Sequence, residues 1–273
     1  MLSLKLNTAI NESFSYFYEE GNIFKSYSIL LTKEESIMFY LIGLGLDLKS
    51  MSLEALDLCR KADKVYIENY TVEFPYDIER LMEILGKQII PLTRILVEEE
   101  KFVDGARKKN IVLLVYGSPL TATTHISLIL KCKKEKIDYK IIHNASIIDA
   151  VTETGLQIYK FGKTASMPRW EKNFKPISFI ETIKLNLAIK AHTLILVDIG
   201  LSYGDALKQL QEACKKKVKL GKVIVCSKLG TSNSKVYYDF LPELYGKEVY
   251  SPFCFIVPSK LHFLEEEALN LVS

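Results

Sequence analysis

The chain has 273 residues, 48% of them apolar and 25% charged, which suits two ordinary domains with real cores. A formal net charge of +3 is too small to mark a nucleic-acid protein. No apolar run is long enough for a membrane-spanning helix, and five scattered cysteines without CxxC spacing or histidine neighbours argue for free thiols rather than a disulfide framework or a metal site.

Residues 1–37 carry acidic groups and no continuous apolar segment, unlike a secretory signal or an Arg-rich transit peptide. They read as an extension of uncertain status, with Met38 an alternative first residue. From Met38 the pattern becomes regular. "MFYLIGLGL" is a buried strand entering a glycine loop, and "SLEALDLCRKA" a helix expected to bury Leu53, Leu56 and Cys59. "KVYIENY" is the next strand, "YDIERLMEILG" a helix closed by Gly86, and "KQIIPL" a strand. Thr93 to Lys109 reads as helix, "IVLLVY" as a buried strand, Thr123 to Lys136 as helix and "YKIIH" as strand, with another helix from Ser146. Strands alternating with helices imply right-handed crossovers and a mostly parallel sheet.

"TGLQIYKFGKT" breaks this rhythm and reads as the connection between domains 38–156 and 157–273. The second half offers a helix near Phe179 to Lys190, the strand "HTLILVDI", a helix from Tyr203 to Lys216 and the strand "KVIVCSKLG". An edge ladder around Val236 to Phe240, "CFIVP" and a closing helix from Leu261 complete it. Its wider spacings suit a mixed sheet.

Gly43 and Gly45 suggest a dinucleotide fingerprint, but Leu48 occupies the third glycine position, so a tight strand-to-loop turn is the better reading. "VYGSPLTATTH" follows the central strand. Gly117 permits close backbone approach, Pro119 stiffens the turn, and Thr123 or Thr124 is expected to cap the next helix. Ligands of open α/β sheets bind beyond the carboxyl ends of strands, so this loop, "HNASII" and "VDIG" are candidates to surround one crevice. No nucleophile triad is evident. His125, His143, His192 and, less so, His262 are candidate proton acceptors, although a structural role is the better reading of each, and Asp198 is a candidate orienting group that suits a cap on the next turn equally well. Lys160, Lys163 and Arg169 are candidates to pair with an acidic group of a substrate.

"MFYLIGLGL", "GSPLTATTH", "IIHNASI", "GLQIYKFGKT", "HTLILVDI" and "IVPSKLH" resemble, in order and spacing, the diphthine synthases of the tetrapyrrole-methylase-like methyltransferases, over Met38 to about Leu271. The resemblance implies two α/β domains with a cleft between them that takes S-adenosylmethionine and releases S-adenosylhomocysteine. It implies donor-lining positions at Leu46, Ser118, Thr121, Ser146, Ile147, Val197, Leu229 and Phe253. The family carries aspartate where this chain has Ser118, and a more polar residue where it has Phe253. The implied substrate is elongation factor 2, whose modified histidine bears a 3-amino-3-carboxypropyl group methylated on its amine and, in eukaryotic-type enzymes, on its carboxylate. A cytoplasmic homodimer without nucleic-acid or membrane partners is the expected setting. Two other readings stay open: a tetrapyrrole methylase, and a non-catalytic cofactor- or partner-binding relative that lost the donor-loop aspartate.

Overall fold

In the computed structural model, which describes residues 37–215 and 217–272, two five-stranded sheets carry the chain. The extension, expected at residues 1–37, lies outside the described residues apart from its last position. The first sheet comprises β1 (Phe39–Gly43), β2 (Lys64–Glu68), β3 (Ile89–Leu92), β4 (Ile111–Val115) and β5 (Tyr139–Ile142). Its order is β3-β2-β4-β1-β5, and all its pairs are parallel. All five residues of β1 are buried, as are all five of β4. Alternation sends Tyr40 and Ile42 into one apolar cluster and Phe39 and Leu41 into another on the opposite face. A strand covered on both faces needs apolar residues at every position, hence the unbroken run. Each large aliphatic side chain so buried contributes about 1.5–3 kcal/mol.

The helices of this half are α1 (Leu53–Lys61), α2 (Ile78–Leu85), α3 (Arg94–Glu98), α4 (Ile126–Glu135) and the short α5 (Ile147–Ala150). Gly86 closes α2 in the left-handed region, as expected. Three expectations are corrected. In α1 the inward positions are Ala55 and Cys59, while Leu53 is 83% exposed because it opens the first turn behind the Ser52 cap. The helix expected from Thr93 to Lys109 breaks at Glu100, which takes φ 57, and continues as a 3-10 turn from Lys101 to Arg107. The run Glu98 to Glu100 places negative charge at a helix carboxyl end, where the dipole opposes it. In α4 neither threonine caps the helix. His125 stands at the N-cap without a side-chain cap bond, and Thr123 Oγ1 donates to the Pro119 carbonyl at 2.9 Å.

The second sheet comprises β6 (Ala165–Met167), β7 (Thr193–Val197), β8 (Val223–Ser227), β9 (Lys235–Asp239) and β10 (Phe253–Val257), in the order β6-β7-β10-β8-β9. Only β6 and β7 pair in parallel, so the sheet is mixed, as its spacings implied. The edge strand β6 has no sequence signature; "ASM" is too short to alternate, and it forms because β7 offers a free edge. Helices α6 (Ser178–Ala188), α7 (Tyr203–Cys214), α8 (Leu241–Leu244) and α9 (Phe263–Asn270) complete this half.

Both sheets belong to one compact unit, Ile37–Ser273. A single apolar cluster joins Leu46, Ala150, Val151 and Leu156 to Ile224, Cys226, Ile256 and Leu269. Glu153 spans the halves, accepting from the Gly230 amide and the Ser234 hydroxyl, each at 2.8 Å. Behind the connecting segment lies a buried polar knot. Glu265 accepts from the Gln157 and His262 amides, His192 and Lys160, while the Ser259 amide donates to His192 Nδ1. Burial opposes charge on Glu265, but these donors prevail and hold its carboxyl down to about 2.

Candidate functional site

The carboxyl ends of β4, β1 and β5 lie side by side, from the centre of the parallel sheet to its β5 edge. From β1 the chain runs toward β2, and from β4 it crosses over β1 to β5, so the two connections diverge between neighbouring strands. A crevice opens at such a point. Its floor depends on glycine. Gly43 leaves no room for a Cβ, which would stand 2.6 Å from the Gly117 carbonyl oxygen and 2.8 Å from Pro119. These glycines make the tight turn expected of them, without a dinucleotide fingerprint.

A cavity of about 460 Å³ lies over these loops and is closed from the far side by the ends of β7, β8 and β10. That volume falls within the range of roughly 300–1,000 Å³ of small-molecule sites. All eight residues singled out in the sequence line it: Leu46, Ser118, Thr121, Ser146, Ile147, Val197, Leu229 and Phe253. Leu46 and Leu229 are buried, and Phe253 packs edge-on against Tyr203 at 5.8 Å. Ser118 is 8% exposed, and its hydroxyl makes no hydrogen bond among the described residues. Ser146 differs. Its hydroxyl donates to Asp149 at 2.9 Å and accepts from the Ile148 amide, so its side chain builds the cavity wall as a helix cap.

The candidate proton acceptors do not gather here. None of His125, His143, His192 and His262 lines the cavity. His125 and His192 are buried and neutral at pH 7, their pKa values lowered chiefly by burial. Nδ1 of His125 meets the Pro119 carbonyl at 3.3 Å, which lets this residue hold the loop from beneath. His143 and His262 are exposed. Lys160, Lys163 and Arg169 are likewise absent from the lining, and Lys160 is committed to Glu265 and the Lys260 carbonyl. Asp198 does reach the cavity, and one of its carboxylate oxygens accepts from the Arg169 amide at 3.1 Å.

Sequence reasoning missed the loop after β2 and the start of α3. Tyr70, Thr71, Val72, Glu73 and Arg94 all line the cavity. The rule that picked out the loops after β1, β4 and β5 applies equally to β2, and "ENYTVEF" carried the signal. Among the described residues no cluster of potential ligands suits a metal ion, and no helix is long and apolar enough to cross a membrane.

A parallel sheet and a mixed sheet closing on one cavity define a class that comparison with known proteins names. The chain belongs to the tetrapyrrole (corrin/porphyrin) methylase family, whose model matches residues 38–245. Within that family it is a methyltransferase of the diphthine synthase type. It is 39% identical over 252 residues to the diphthine synthase of Methanocaldococcus jannaschii, covering 85% of this chain and 98% of that one. The Methanococcus maripaludis S2 enzyme is 38% identical with the same coverage. A diphthine methyl ester synthase of Schizosaccharomyces pombe is 42% identical over 165 residues, 59% of this chain and 58% of its own. A crystal structure of diphthine synthase superposes with a TM-score of 0.80 at 34% identity, covering 86% of this chain and 95% of that one.

Proposed function

We propose that the cavity takes S-adenosylmethionine and that the chain methylates the 3-amino-3-carboxypropyl group on the modified histidine of elongation factor 2. The observation that carries this reading is that the eight positions implied by the resemblance, from six separate segments of the chain, all line one cavity of suitable size. Residues 38–156 and 157–273 then act as two domains that supply opposite walls, in a cytoplasmic homodimer.

The lining fits such a donor. Leu46, Val197, Leu229 and Phe253 offer apolar faces for a purine ring, and the hydroxyls of Ser118 and Thr121 make no hydrogen bond among the described residues. The sulfonium of S-adenosylmethionine supplies an activated methyl group. The chain's own residues therefore have to align the acceptor with it and exclude water, and no protein nucleophile is needed. An amine attacks only when neutral, so each transfer releases a proton. The carboxylates on the cavity, Glu73 and Asp198, are placed to pass it toward solvent.

Incubating the protein with S-adenosylmethionine and elongation factor 2 bearing the 3-amino-3-carboxypropyl group, followed by mass spectrometry, tests the reading. Mass increments of 14 Da per methyl, about the mass of one CH₂, are expected on the modified histidine, with an alkali-labile increment if the carboxylate is esterified. Unmodified product together with undetectable binding of S-adenosylhomocysteine by calorimetry would sink it.

A further inference from the structure

The positions proposed for the donor leave part of the cavity lining unused, and that part carries charge of its own. It comprises the segment after β2 and Arg94, the first residue of α3. Arg94 is the only cation among the described residues lining the cavity, where Glu73 and Asp198 are the only carboxylates.

Arg94 is held in place but not satisfied. Thr93 caps α3, its hydroxyl accepting from the Leu96 amide, which fixes the helix start. The guanidinium lies over the Tyr70 ring, 5.5 Å from its centroid. The next residue, Thr71, anchors the loop that carries Tyr70. The fully buried Glu68 accepts from both the hydroxyl (2.5 Å) and the amide (3.3 Å) of Thr71. Glu98 stands one turn beyond Arg94, yet among the described residues Arg94 makes no ion pair with it or any other carboxylate. A guanidinium held over an aromatic ring and in no ion pair keeps N–H donors for a planar anion, and its fork matches a carboxylate in two parallel bonds. Burial pushes the Tyr70 hydroxyl up to about 12, so it remains a donor beside that anion.

We infer that Arg94, seated on Tyr70, grips the free carboxylate of an α-amino-acid group on the methyl acceptor, while Glu73 faces its amine. This rests on the reading of the cavity as a methyl-transfer site, and it makes Arg94 the residue that selects the acceptor. A tetrapyrrole or a plain lysine side chain lacks the adjacent amine and carboxylate that such a pair recognises.

The test compares two synthetic peptides, one bearing the 3-amino-3-carboxypropyl histidine and one with its carboxylate replaced by a carboxamide. Binding to the protein loaded with S-adenosylhomocysteine is measured for wild type, Arg94→Gln and Arg94→Lys. Wild type is expected to prefer the carboxylate by about ten- to a hundredfold, the range of a charge-assisted pair. Arg94→Gln should lose that preference and Arg94→Lys recover part of it, with S-adenosylhomocysteine affinity unchanged in all three. No preference in wild type, an equal preference in wild type and Arg94→Gln, or a parallel loss of S-adenosylhomocysteine binding would overturn the assignment. These readouts need no turnover, so failure of methyl transfer to elongation factor 2 is scored separately.

Discussion

Gly45 and Gly117 face each other across two reciprocal hydrogen bonds, Gly45 N to Gly117 O at 3.1 Å and Gly117 N to Gly45 O at 2.9 Å. The loops after β1 and β4 are thereby locked together, outside either sheet, at the floor of the cavity. Both residues take positive φ, 73° and 71°, which disfavours any side chain. At Gly117 an added Cβ meets nothing closer than 3.6 Å, so Gly117→Ala should cost only the backbone term, about 1–2 kcal/mol. Gly43→Ala drives a Cβ into the Gly117 carbonyl and should cost more. Thermal denaturation of the two variants checks the order; a milder effect at Gly43 would contradict the close approach.

The resemblance implies an aspartate at the position of Ser118, whose hydroxyl is unbonded among the described residues. Ser118→Asp is expected to strengthen S-adenosylhomocysteine binding by about 1–3 kcal/mol, the value of a charge-assisted hydrogen bond partly shielded from water. Calorimetric titration decides. A weaker-binding variant would mean that the loop has been rebuilt around serine and that the new carboxylate is buried without a partner.

Ser146 serves the cavity through its cap. Ser146→Ala should lower stability by about 0.5–2 kcal/mol, since it removes the acceptor for the Ile148 amide and the donor to Asp149. Ser146→Phe should fold yet fail to bind S-adenosylhomocysteine because it fills the crevice. Denaturant melts and calorimetry separate the two effects, and undiminished affinity in Ser146→Phe would move the site elsewhere.

Acid should weaken the fold in two stages. His192 and His125 have folded pKa values below 6.5, so the unfolded chain binds their protons first and stability falls as pH drops through and below 6.5. Glu265, held at about 2 against an ordinary 4.5, contributes stability that is complete above 4.5 and lost as pH falls from there toward 2. Melting temperatures between pH 8 and pH 3 should therefore be flat at the top and decline below about 6.5. In Glu265→Gln the lower stage should vanish. A wild-type profile that rises on acidification would contradict both assignments.

Much of this protein is legible in its residues alone. The all-apolar runs "FYLIG" and "IVLLV" determine central strands buried on both faces, and alternation with helices makes the first sheet parallel. The glycines of "LIGLGL" and "YGSPL" fix where the chain turns, because Gly45 and Gly117 take a positive φ that disfavours side chains and Gly43 and Gly45 leave no room for a Cβ. Tertiary structure decided the rest. The edge strand β6 depends on β7, supplied from elsewhere in the chain, which no local pattern encodes. By sequence His192 is a candidate proton acceptor with a structural role the better reading, and its structural partner, Glu265, 73 residues away, meets its Nε2 at 3.2 Å. Arg94 looked like an ordinary first residue of a helix. Its place on the cavity comes from how β2 and β3 lie beside each other in the sheet, a long-range relation set by packing and not by the residues on either side of it.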